Sequence, residues 1–452
     1  MESSGFITLL PALVAVVTAV LSRRPIESLL AGTAFGLLIL DPASFVTNFS
    51  STFLAVMMEE TIAWLIIVCG LMGSLIVLFM RTGAAVAFSH VLASRTTGRP
   101  SALLATWLLG LAIFIDDYLN ALAVGNAMRR VTDRLRISRE MLAYVVDSTA
   151  APICMLVPVS TWAVFFAGVL ELSEVAPPGE GISLFISSIP YMLYPWITVL
   201  LIVPLVALGR IPPLGLMRKA EAMAQDEDGP WHKADAGVAA TCEVHPDQLR
   251  PANVWHFVLP LLTLIGVSWW FDIDIQIGII VALALTIVLF GVQKLMRWGA
   301  MFDAALDGIK LMVPALAICV VAFMFKSVND SLGMPAYVIA TVQPYMTAQT
   351  LPLLTFITMA IISFATGSSW GIFAIAIPII MPLGAAADVS APLMVGALMS
   401  ASAFGSHACF YSDSTVLAAQ GAGCDVMSHA LTQLPYALIA ATLAAIGLTL
   451  LA

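Results

Sequence analysis

Residues 114–120 read Phe114-Ile115-Asp116-Asp117-Tyr118-Leu119-Asn120, which sets two adjacent carboxylates and an amide within apolar sequence. No charged residue lies between Leu103 and Ile115 or between Ala121 and Met128. Because an ionised carboxylate in hydrocarbon costs several kcal/mol, such a pair persists in a membrane only where it binds or relays something. No Lys or Arg lies between Arg99 and Arg129 to neutralise the pair, so a cation, a proton or both are its natural partners.

The composition of the whole chain indicates an all-α polytopic membrane protein whose main partner is the lipid bilayer. Of its 452 residues, 60% are hydrophobic and 10% are charged, and the mean hydropathy is +0.99. Soluble domains carry about 25% charged residues. The sequence shows no basic stripe interleaved with aromatic residues, no G-x-x-x-x-G-K-[ST] motif and no H-E-x-x-H motif. These observations argue against a nucleic-acid partner, an ATP-driven pump and an enzyme.

Apolar stretches long enough to cross a bilayer as helices, ideally about 20 residues, can be drawn along both halves of the chain. They are 6–22, 26–40, 61–80, 139–169, 184–208, 254–271, 275–293, 311–326, 391–420 and 430–451. Two regions instead hold pairs of apolar pieces too short to cross, namely 101–115 with 118–128 and 352–366 with 370–384. Each pair predicts a re-entrant hairpin, over 101–128 and 352–384, because irregular backbone at membrane depth must line a protein cavity.

The distribution of basic residues orients these spans. With the amino terminus outside, the predicted cytoplasmic segments hold 18 of the 19 Lys and Arg residues, and only Lys326 lies on the far side. This distribution agrees with the positive-inside rule. It also places Arg99 and Arg129 on the same face, as a hairpin over 101–128 requires. We therefore expect an integral protein of a bacterial inner membrane with both termini outside.

A shift of about 252 residues superposes the first half of the chain on the second. It lays Asp116-Asp117-Tyr118 on Ser368-Ser369-Trp370 and Ser160-Thr161 on Ser412-Asp413. With five crossings in each half, the second copy would be inverted, as in many secondary transporters. The predicted organisation is a first repeat over 1–208, a flexible cytoplasmic linker over 209–253 and a second repeat over 254–452.

Four places concentrate polar residues at predicted membrane depth. They are the first hairpin tip (Asp116, Asp117, Asn120), the fourth span (Asp147, Ser148, Thr149, Thr161), the second tip (Ser368, Ser369) and the ninth span (His407, Ser412, Asp413, Ser414, Thr415). Carboxylates, hydroxyls and freed carbonyls are ligands of a hard cation such as Na⁺. Burial and like-charge repulsion disfavour the charged carboxylates, so a proton and a cation can compete for one site. His407 could take part because the ordinary pKa of histidine is about 6.5.

Each of these residues also has a structural interpretation. One of Asp116 and Asp117 could cap the second hairpin arm at its N-terminus. Asp147 could lie near the cytoplasmic end of its span and be partly hydrated. His407 could be a core histidine with satisfied hydrogen bonds, and Ser and Thr side chains in spans often serve helix packing. His429, near a span end, is expected at the membrane interface.

Three stretches resemble the NhaC family of sodium/proton antiporters, within a wider ion transporter superfamily: 114–125, 405–415 and 432–438. The resemblance covers nearly the whole chain. It implies two inverted repeats of five spans, each with a re-entrant hairpin and a broken helix, in a homodimer with an elevator-like movement. By motif position it places ion binding on Asp116, Asp117, Asn120, Asp147 and Asp413. We expect Na⁺ at Asp116, Asp117, Asn120 and Asp413, with Na⁺ or H⁺ as coupling ions and no other cofactor.

One motif departs from the family pattern. Many members carry Gly-Asp-His-Cys-Ser-Pro-Ile-Ser-Asp-Thr-Thr where this chain has Gly405-Ser-His-Ala-Cys-Phe-Tyr-Ser-Asp-Ser-Thr415, so Ser406 replaces an acid. Aromatic residues also lie near the polar sites: Tyr118, Trp162, Trp370, Phe410 and Tyr411. Aromatic rings beside carboxylates suit an organic cation or zwitterion as well.

Two functions therefore stay open. The first is Na⁺/H⁺ antiport, and the alternative is an Na⁺- or H⁺-coupled carrier of a small organic solute such as an amino acid, an amine or an organic acid. A dicarboxylate would need a positive group at depth, and the sequence predicts no Arg or Lys there. Helix N-termini and bound Na⁺ could substitute for such a group.

Overall fold

The computed structural model describes residues 5–22, 24–84, 87–88, 91, 98–114, 117–158, 160–172, 175–177, 179–226, 250–271, 274–345, 347–367 and 371–452. Every regular element in these ranges is helical, which confirms the predicted all-α class. In the first half the α-helices are α1 (Leu10–Ser22), α2 (Pro25–Leu40), α3 (Phe45–Met57), α4 (Glu60–Thr82), α5 (Arg99–Ala112), α6 (Asp117–Arg134), α7 (Arg139–Ser148), α8 (Ala151–Leu156), α9 (Thr161–Leu172), α10 (Gly181–Ser188), α11 (Leu193–Trp196) and α12 (Val203–Ala207). The remaining α-helices are α13 (Gly215–Gln225), α14 (Trp255–Trp270), α15 (Ile275–Val292), α16 (Trp298–Ser331), α17 (Met334–Val342), α18 (Leu351–Thr366), α19 (Gly371–Ala386), α20 (Ala391–Ala408), α21 (Asp413–Ala422) and α22 (Val426–Leu451).

Several helices have the length and apolar composition of membrane spans. Within the described residues, three qualify alone, namely Ile62–Thr82, Ile275–Val292 and Val426–Leu451. Three bent pairs bring the number to as many as six: Gly181–Tyr191 with Leu193–Ala207, Trp298–Val313 with Leu316–Ser331, and α20 with α21. Other predicted crossings correspond to shorter apolar helices such as Trp255–Trp270. The architecture is that of an integral membrane protein, and the number of ten crossings stays a prediction.

Polar and proline residues break the two helices that carry most of the predicted site. The predicted span 139–169 consists of α7, α8 and α9, with Pro152 in the first turn of α8, where its missing N–H costs little. The predicted span 391–420 consists of α20 and α21, which meet at an angle of 44°. At that break Ser412 caps α21 by accepting a hydrogen bond from the backbone N–H of Thr415 at 3.3 Å.

Helix boundaries recur along the chain at the predicted shift. Pairs of helix starts 252 positions apart are Arg99 with Leu351, Arg139 with Ala391 and Thr161 with Asp413. A hydrogen bond recurs as well: Ser160 Oγ donates to Cys154 O, and Ser412 Oγ donates to Ser406 O, both at 2.5 Å. Three helix starts, and one hydrogen bond from a serine hydroxyl to a backbone carbonyl, therefore lie at equivalent positions in the two halves.

One predicted span is much longer in the structure. The stretch predicted at 311–326 belongs to α16, which has 34 residues and begins at Trp298. The first part of α16 carries charged side chains, so a search for apolar stretches does not include it in the span. Asp307 accepts hydrogen bonds there from Arg81 of α4 at 2.6 Å and from Lys310 at 2.9 Å.

Part of the predicted linker is helical. Within 209–253, helix α13 is amphipathic and carries Glu221, which contacts the start of α5. Glu221 is 3% exposed, pairs with Arg99, and accepts a hydrogen bond from Ser138 Oγ at 2.8 Å. The stretch 227–249 lies outside the described residues. The buried carboxylate thus joins α13 to α5 and to the start of α7, and the division of the chain into two repeats and a flexible linker stays a prediction.

The helices form two neighbouring groups. In the first group, α16 packs against α4 and α2, and α15 packs against α4 and α14. In the second group, α21 packs against α6 and α7, and α20 packs against α18 and α22. Helices α6 and α21 cross closely at two glycines, since a Cβ atom at Gly125 would lie 2.6 Å from the carbonyl carbon of Gly421. This close crossing brings the starts of α6 and α21 together.

Candidate functional site

Three of the predicted acids lie at helix ends in the second group. Asp117 is the first residue of α6, Asp413 is the first residue of α21, and Asp147 lies in the last turn of α7. Their exposed fractions are 1%, 8% and 0%. A helix N-terminus favours negative charge, which explains why Asp117 and Asp413 occupy these positions. Asp116 lies outside the described residues.

Asp413 has few hydrogen-bond donors around it. The Tyr118 hydroxyl donates to Asp413 Oδ2 at 2.5 Å, and the backbone N–H of Ser414 donates to Oδ1 at 2.9 Å. A carboxylate offers about four acceptor positions. Within the described residues these two donors leave room for a further ligand on Asp413, and Tyr118 ties that ligand position to the first hairpin.

Asp147 is in a very different environment. Its Oδ1 lies 3.0 Å from Ser414 Oγ, and its Oδ2 lies 2.9 Å from Gln433 Nε2, 3.2 Å from His429 Nε2 and 3.4 Å from Thr415 Oγ1. Four neighbouring donors can occupy about four acceptor positions. Asp147 thus joins α7 to α21 and α22 through hydrogen bonds, and Ser414 bridges it to Asp413.

The structure corrects the prediction for His429, which is not interfacial. His429 is 0% exposed and contacts Asp147, as does Gln433 one helical turn later. The spacing of four residues between two polar side chains in an apolar span was the available signal. Neither residue was predicted to belong to the site.

His407 has a hydrogen-bond partner at each ring nitrogen, as its structural interpretation requires, and a part in binding stays a prediction. Its Nε2 lies 2.9 Å from Ser148 Oγ, and its Nδ1 lies 2.6 Å from the Tyr194 hydroxyl. Both ring nitrogens therefore have partners within the core. Gln433 Nε2 also donates to the backbone carbonyl of His407, which links this histidine to the group around Asp147.

Asn120 joins three segments through its amide nitrogen. Asn120 Nδ2 lies 2.7 Å from Gly110 O, 2.8 Å from Ile113 O and 2.8 Å from Thr149 O. These contacts join α6 to the end of α5 and to the end of α7. The Asn120 Oδ1 atom is buried and has no hydrogen-bond partner among the described residues. That oxygen is consequently the part of Asn120 that suits a cation.

Of the predicted hydroxyl ligands, Thr149 and Ser412 contact the backbone, whereas Ser414 and Thr415 contact Asp147 and Ser148 contacts His407. Thr149 Oγ1 donates to Val145 O at 2.9 Å within its own helix. Ser412 Oγ caps α21, and Ser406 Oγ donates to Ser414 Oγ at 2.9 Å. Two predicted ligands, Ser368 and Ser369, the aromatic Trp370 and the side chain of Thr161 lie outside the described part of the chain.

The described aromatic residues pack around the site, and only Tyr118 is hydrogen-bonded to one of its acids. The Tyr411 hydroxyl donates to Ala365 O at 2.8 Å, which holds the end of α18. Phe410 packs edge-on against Phe364 with ring centroids 5.2 Å apart. Trp162 is 0% exposed. Phe410 and Tyr411 thus contact the end of α18, and their role beside a substrate stays a prediction.

Comparison with known proteins gives four similarities: a family model, two relatives and one solved structure. A family model described as the Na⁺/H⁺ antiporter family matches residues 153–452. An uncharacterized protein of Haemophilus influenzae is 29% identical over 478 aligned positions, which cover 98% of this chain and 90% of that protein. The malate-2H(+)/Na(+)-lactate antiporter of Bacillus subtilis is 39% identical over 77 residues, which cover 17% of this chain and 16% of that protein. The crystal structure of the YdaH transporter of Alcanivorax borkumensis covers 84% of this chain and 85% of its own, with a TM-score of 0.37 and 13% identity.

Proposed function

The chain belongs to the Na⁺/H⁺ antiporter family, a family of secondary active transporters, and from that premise we propose that Na⁺ and H⁺ bind alternately at Asp413. The observation that carries this proposal is the difference between two buried acids. Among the described residues, Asp413 has two donors, whereas Asp147 has four neighbouring donors. A cation needs open acceptor positions, so Asp413 suits it better than Asp147 does.

Asp117 and Asn120 complete the proposed cation site. Both residues belong to the first turn of α6, whose next residue after Asp117 is Tyr118, the donor to Asp413. Asn120 Oδ1 supplies a neutral oxygen, which a hard cation accepts as readily as a carboxylate oxygen. Asp116 is proposed as a further ligand on its sequence position alone.

Alternate binding follows from charge. When Na⁺ leaves, an uncompensated carboxylate in a dry environment is costly, and a proton that binds Asp413 removes that cost. When the proton leaves to one side of the membrane, the charged form of Asp413 is again ready for Na⁺. The hydrogen bonds of Asp147 and Ser414 keep the frame of the site in place through this cycle.

We further propose two inverted repeats, each with a re-entrant hairpin, that act in a homodimer by an elevator-like movement. The equivalent helix starts of the two halves support the repeat. The proposed cytoplasmic side is the side of Arg81 and Arg129, which line one cavity. A proteoliposome assay with a cysteine label on one terminus would test this orientation.

The main experiment uses the purified full-length protein in proteoliposomes that carry an imposed pH gradient. We expect external NaCl, without any organic solute, to dissipate the gradient, and choline chloride to leave it intact. Asp413→Asn should reduce the rate to that of empty liposomes. The matched control is Asp388→Asn, an exposed position with a φ of 58°, which Asn tolerates well. Normal Na⁺-driven dissipation in Asp413→Asn would contradict the proposed role of Asp413.

The second candidate function is the transport of an organic acid coupled to Na⁺ or H⁺. The Bacillus subtilis relative is by name an antiporter of malate and lactate that couples them to H⁺ and Na⁺.

A further inference from the structure

Glu140 is a buried carboxyl group that has no role in the proposed transport cycle. It is the second residue of α7 and lies in the first turn of that helix. Glu140 is 5% exposed, and its Oε2 atom is buried without a hydrogen-bond partner among the described residues. An ionised carboxylate that is buried without a partner is costly, so a position of this kind favours a carboxyl group that holds a proton.

The positive groups near Glu140 have other partners. Arg139 Nε lies 3.4 Å from Asp133 Oδ1, and Arg139 Nη1 donates to the backbone carbonyl of Gly423 at 3.2 Å. Arg99 forms an ion pair with Glu221. Both guanidinium groups are thus engaged by other acceptors, and neither compensates a charge on Glu140 within the described part of the chain.

Two further carboxylates add negative charge beside Glu140. Glu221 of α13 accepts a hydrogen bond from Ser138, the N-cap of α7, which precedes Glu140 by two residues. Asp425 caps α22 by accepting a hydrogen bond from a backbone N–H at 2.8 Å. Both carboxylates repel an ionised Glu140. Of the three acids, Glu140 is the one with a buried oxygen that lacks a partner among the described residues.

The remaining titratable groups at the start of α7 come from the other helices packed there. They are Arg99 of α5, Arg129 and Asp133 of α6, Cys424 at the end of α21, and Tyr436 of α22. Burial, with Glu140 and Asp425 nearby, raises the pKa of the Cys424 thiol well above its ordinary value. A phenol such as that of Tyr436 ordinarily loses its proton only near pH 10. Neither group therefore changes its charge near neutral pH.

Helix α13 is the element that can yield when Glu140 becomes charged. Its 11 residues pack against α22 and α7, and only Met217, Ala220 and Glu221 are buried. Undocking of α13 would move the Glu221 carboxylate away from Glu140 and would let water reach the Glu140 carboxyl group. Both changes lower the cost of a charge on Glu140.

We propose that Glu140 is a proton-binding switch: a proton on its carboxyl group keeps α13 docked against α5 and α7, and loss of that proton releases α13. The sign follows from linkage, since the docked state binds the proton more tightly than the undocked state, so docking weakens as the pH rises. The inference does not rest on the proposed function, because Glu140 lies about two turns before Asp147 on α7 and takes no part in the proposed cation site.

The test is hydrogen–deuterium exchange of the purified full-length protein over 215–225, at a series of pH values and corrected for the intrinsic exchange rate at each pH. A buried carboxyl group can titrate as high as about pH 8–9, so the series runs from about pH 6 to about pH 9. In the wild type we expect the protection of α13 to fall about tenfold or more over this range, since each unit of difference in proton affinity between the two states is a factor of ten. Glu140→Gln keeps the shape without the charge, so its α13 should stay protected throughout.

Glu60→Gln is the matched control, because it is the same substitution at an exposed position in the first turn of α4. It should lose protection with pH as the wild type does. Glu140→Ala also removes the charge and serves if Glu140→Gln does not fold. The inference is wrong if wild-type α13 is equally protected at both ends of the range, or if Glu140→Gln loses protection as steeply as the wild type. A parallel loss of protection in the buried helix α20 would show global unfolding and would overturn it as well.

Discussion

The Tyr118 hydroxyl lies 2.5 Å from Asp413 Oδ2, although the two residues are 295 positions apart in the chain. This hydrogen bond joins the start of α6, in the first half, to the start of α21, in the second half. The candidate cation ligand Asp413 is therefore sensitive to the position of α6. A movement of α6 relative to α21 would change the number of donors on that carboxylate and, with it, the balance between Na⁺ and H⁺.

The first prediction concerns Tyr118→Phe, which removes the hydroxyl and keeps the ring. The hydroxyl stabilises the charged form of Asp413, which is the form that binds Na⁺, so a proton competes more strongly without it. A hydrogen bond to a charged group contributes about 1.5–3 kcal/mol, so the apparent KM for Na⁺ should rise by about tenfold or more. The measurement is the rate of Na⁺-driven dissipation of a pH gradient at a series of Na⁺ concentrations.

Tyr345→Phe is the matched control for Tyr118→Phe, because Tyr345 is 71% exposed. Its KM for Na⁺ should equal that of the wild type. An unchanged or lower KM in Tyr118→Phe would show that the hydroxyl competes with Na⁺ for Asp413 and does not assist it.

The second prediction separates Asp147 from Asp413 by stability. In Asp147→Asn one acceptor becomes an NH₂ group that faces neighbouring donors such as His429 and Gln433, which leaves buried polar atoms without partners. We expect a loss of stability of about 1–3 kcal/mol or more and a clearly lower Tm. Asp413→Asn should retain a Tm near that of the wild type, since one oxygen can still accept from Tyr118 or Ser414.

Thermal unfolding with and without Na⁺ checks this second prediction. Na⁺ should still raise the Tm of the wild type and should have no effect on Asp413→Asn. If Asp147→Asn unfolds at the wild-type temperature, the donors around Asp147 do not hold the frame of the site, and a role as a direct ligand becomes the better explanation.

The sequence alone was sufficient for the parts of the site that local pattern controls. The acids stand out because they interrupt apolar runs, and Asp117 and Asp413 are buried at helix starts as the membrane argument requires. The helix break near Pro152 follows from proline, whereas the break at residues 409–412 contains no proline and was expected only from the resemblance to the family. The shift of about 252 residues predicted helix starts because the same local signals recur in both halves.

Contacts between distant segments could not be predicted in this way. His429 and Asp147 are 282 positions apart, and nothing in either local sequence indicates that they meet. The length of α16 was also hidden, since Asp307 finds its partner Arg81 on another helix 226 positions away. A hydropathy plot ends the predicted span before a charged residue such as Asp307. In the folded protein the ion pair with Arg81 compensates that charge, so the helix can include Asp307.

The third prediction concerns the crossing of α6 and α21. In Gly125→Ala the added Cβ would lie 2.6 Å from the Gly421 carbonyl carbon, and backbone atoms cannot move aside as a side chain can. Overpacking of this kind costs about 1–3 kcal/mol, so we expect a lower Tm and slower Na⁺/H⁺ exchange. Gly266→Ala in α14 is the control because nothing lies within 4 Å of the added atom, and it should be neutral or slightly stabilising. Equal Tm values for the two variants would show that the crossing can open without cost.

The fourth prediction concerns the docking of α13 by Glu221. Glu221 is 3% exposed, pairs with Arg99 and accepts from Ser138, so Glu221→Gln leaves the buried side of this cluster without its negative charge. Breaking a buried pair by neutralising one partner costs about 3–5 kcal/mol, which should loosen α13 and speed hydrogen exchange of its amides. The matched control is Glu27→Gln, which breaks the exposed pair between Arg24 and Glu27 and should have almost no effect. Hydrogen–deuterium exchange over 215–225 makes the measurement. Unchanged protection in Glu221→Gln would mean that the apolar face of α13, and not the carboxylate, holds the helix in place.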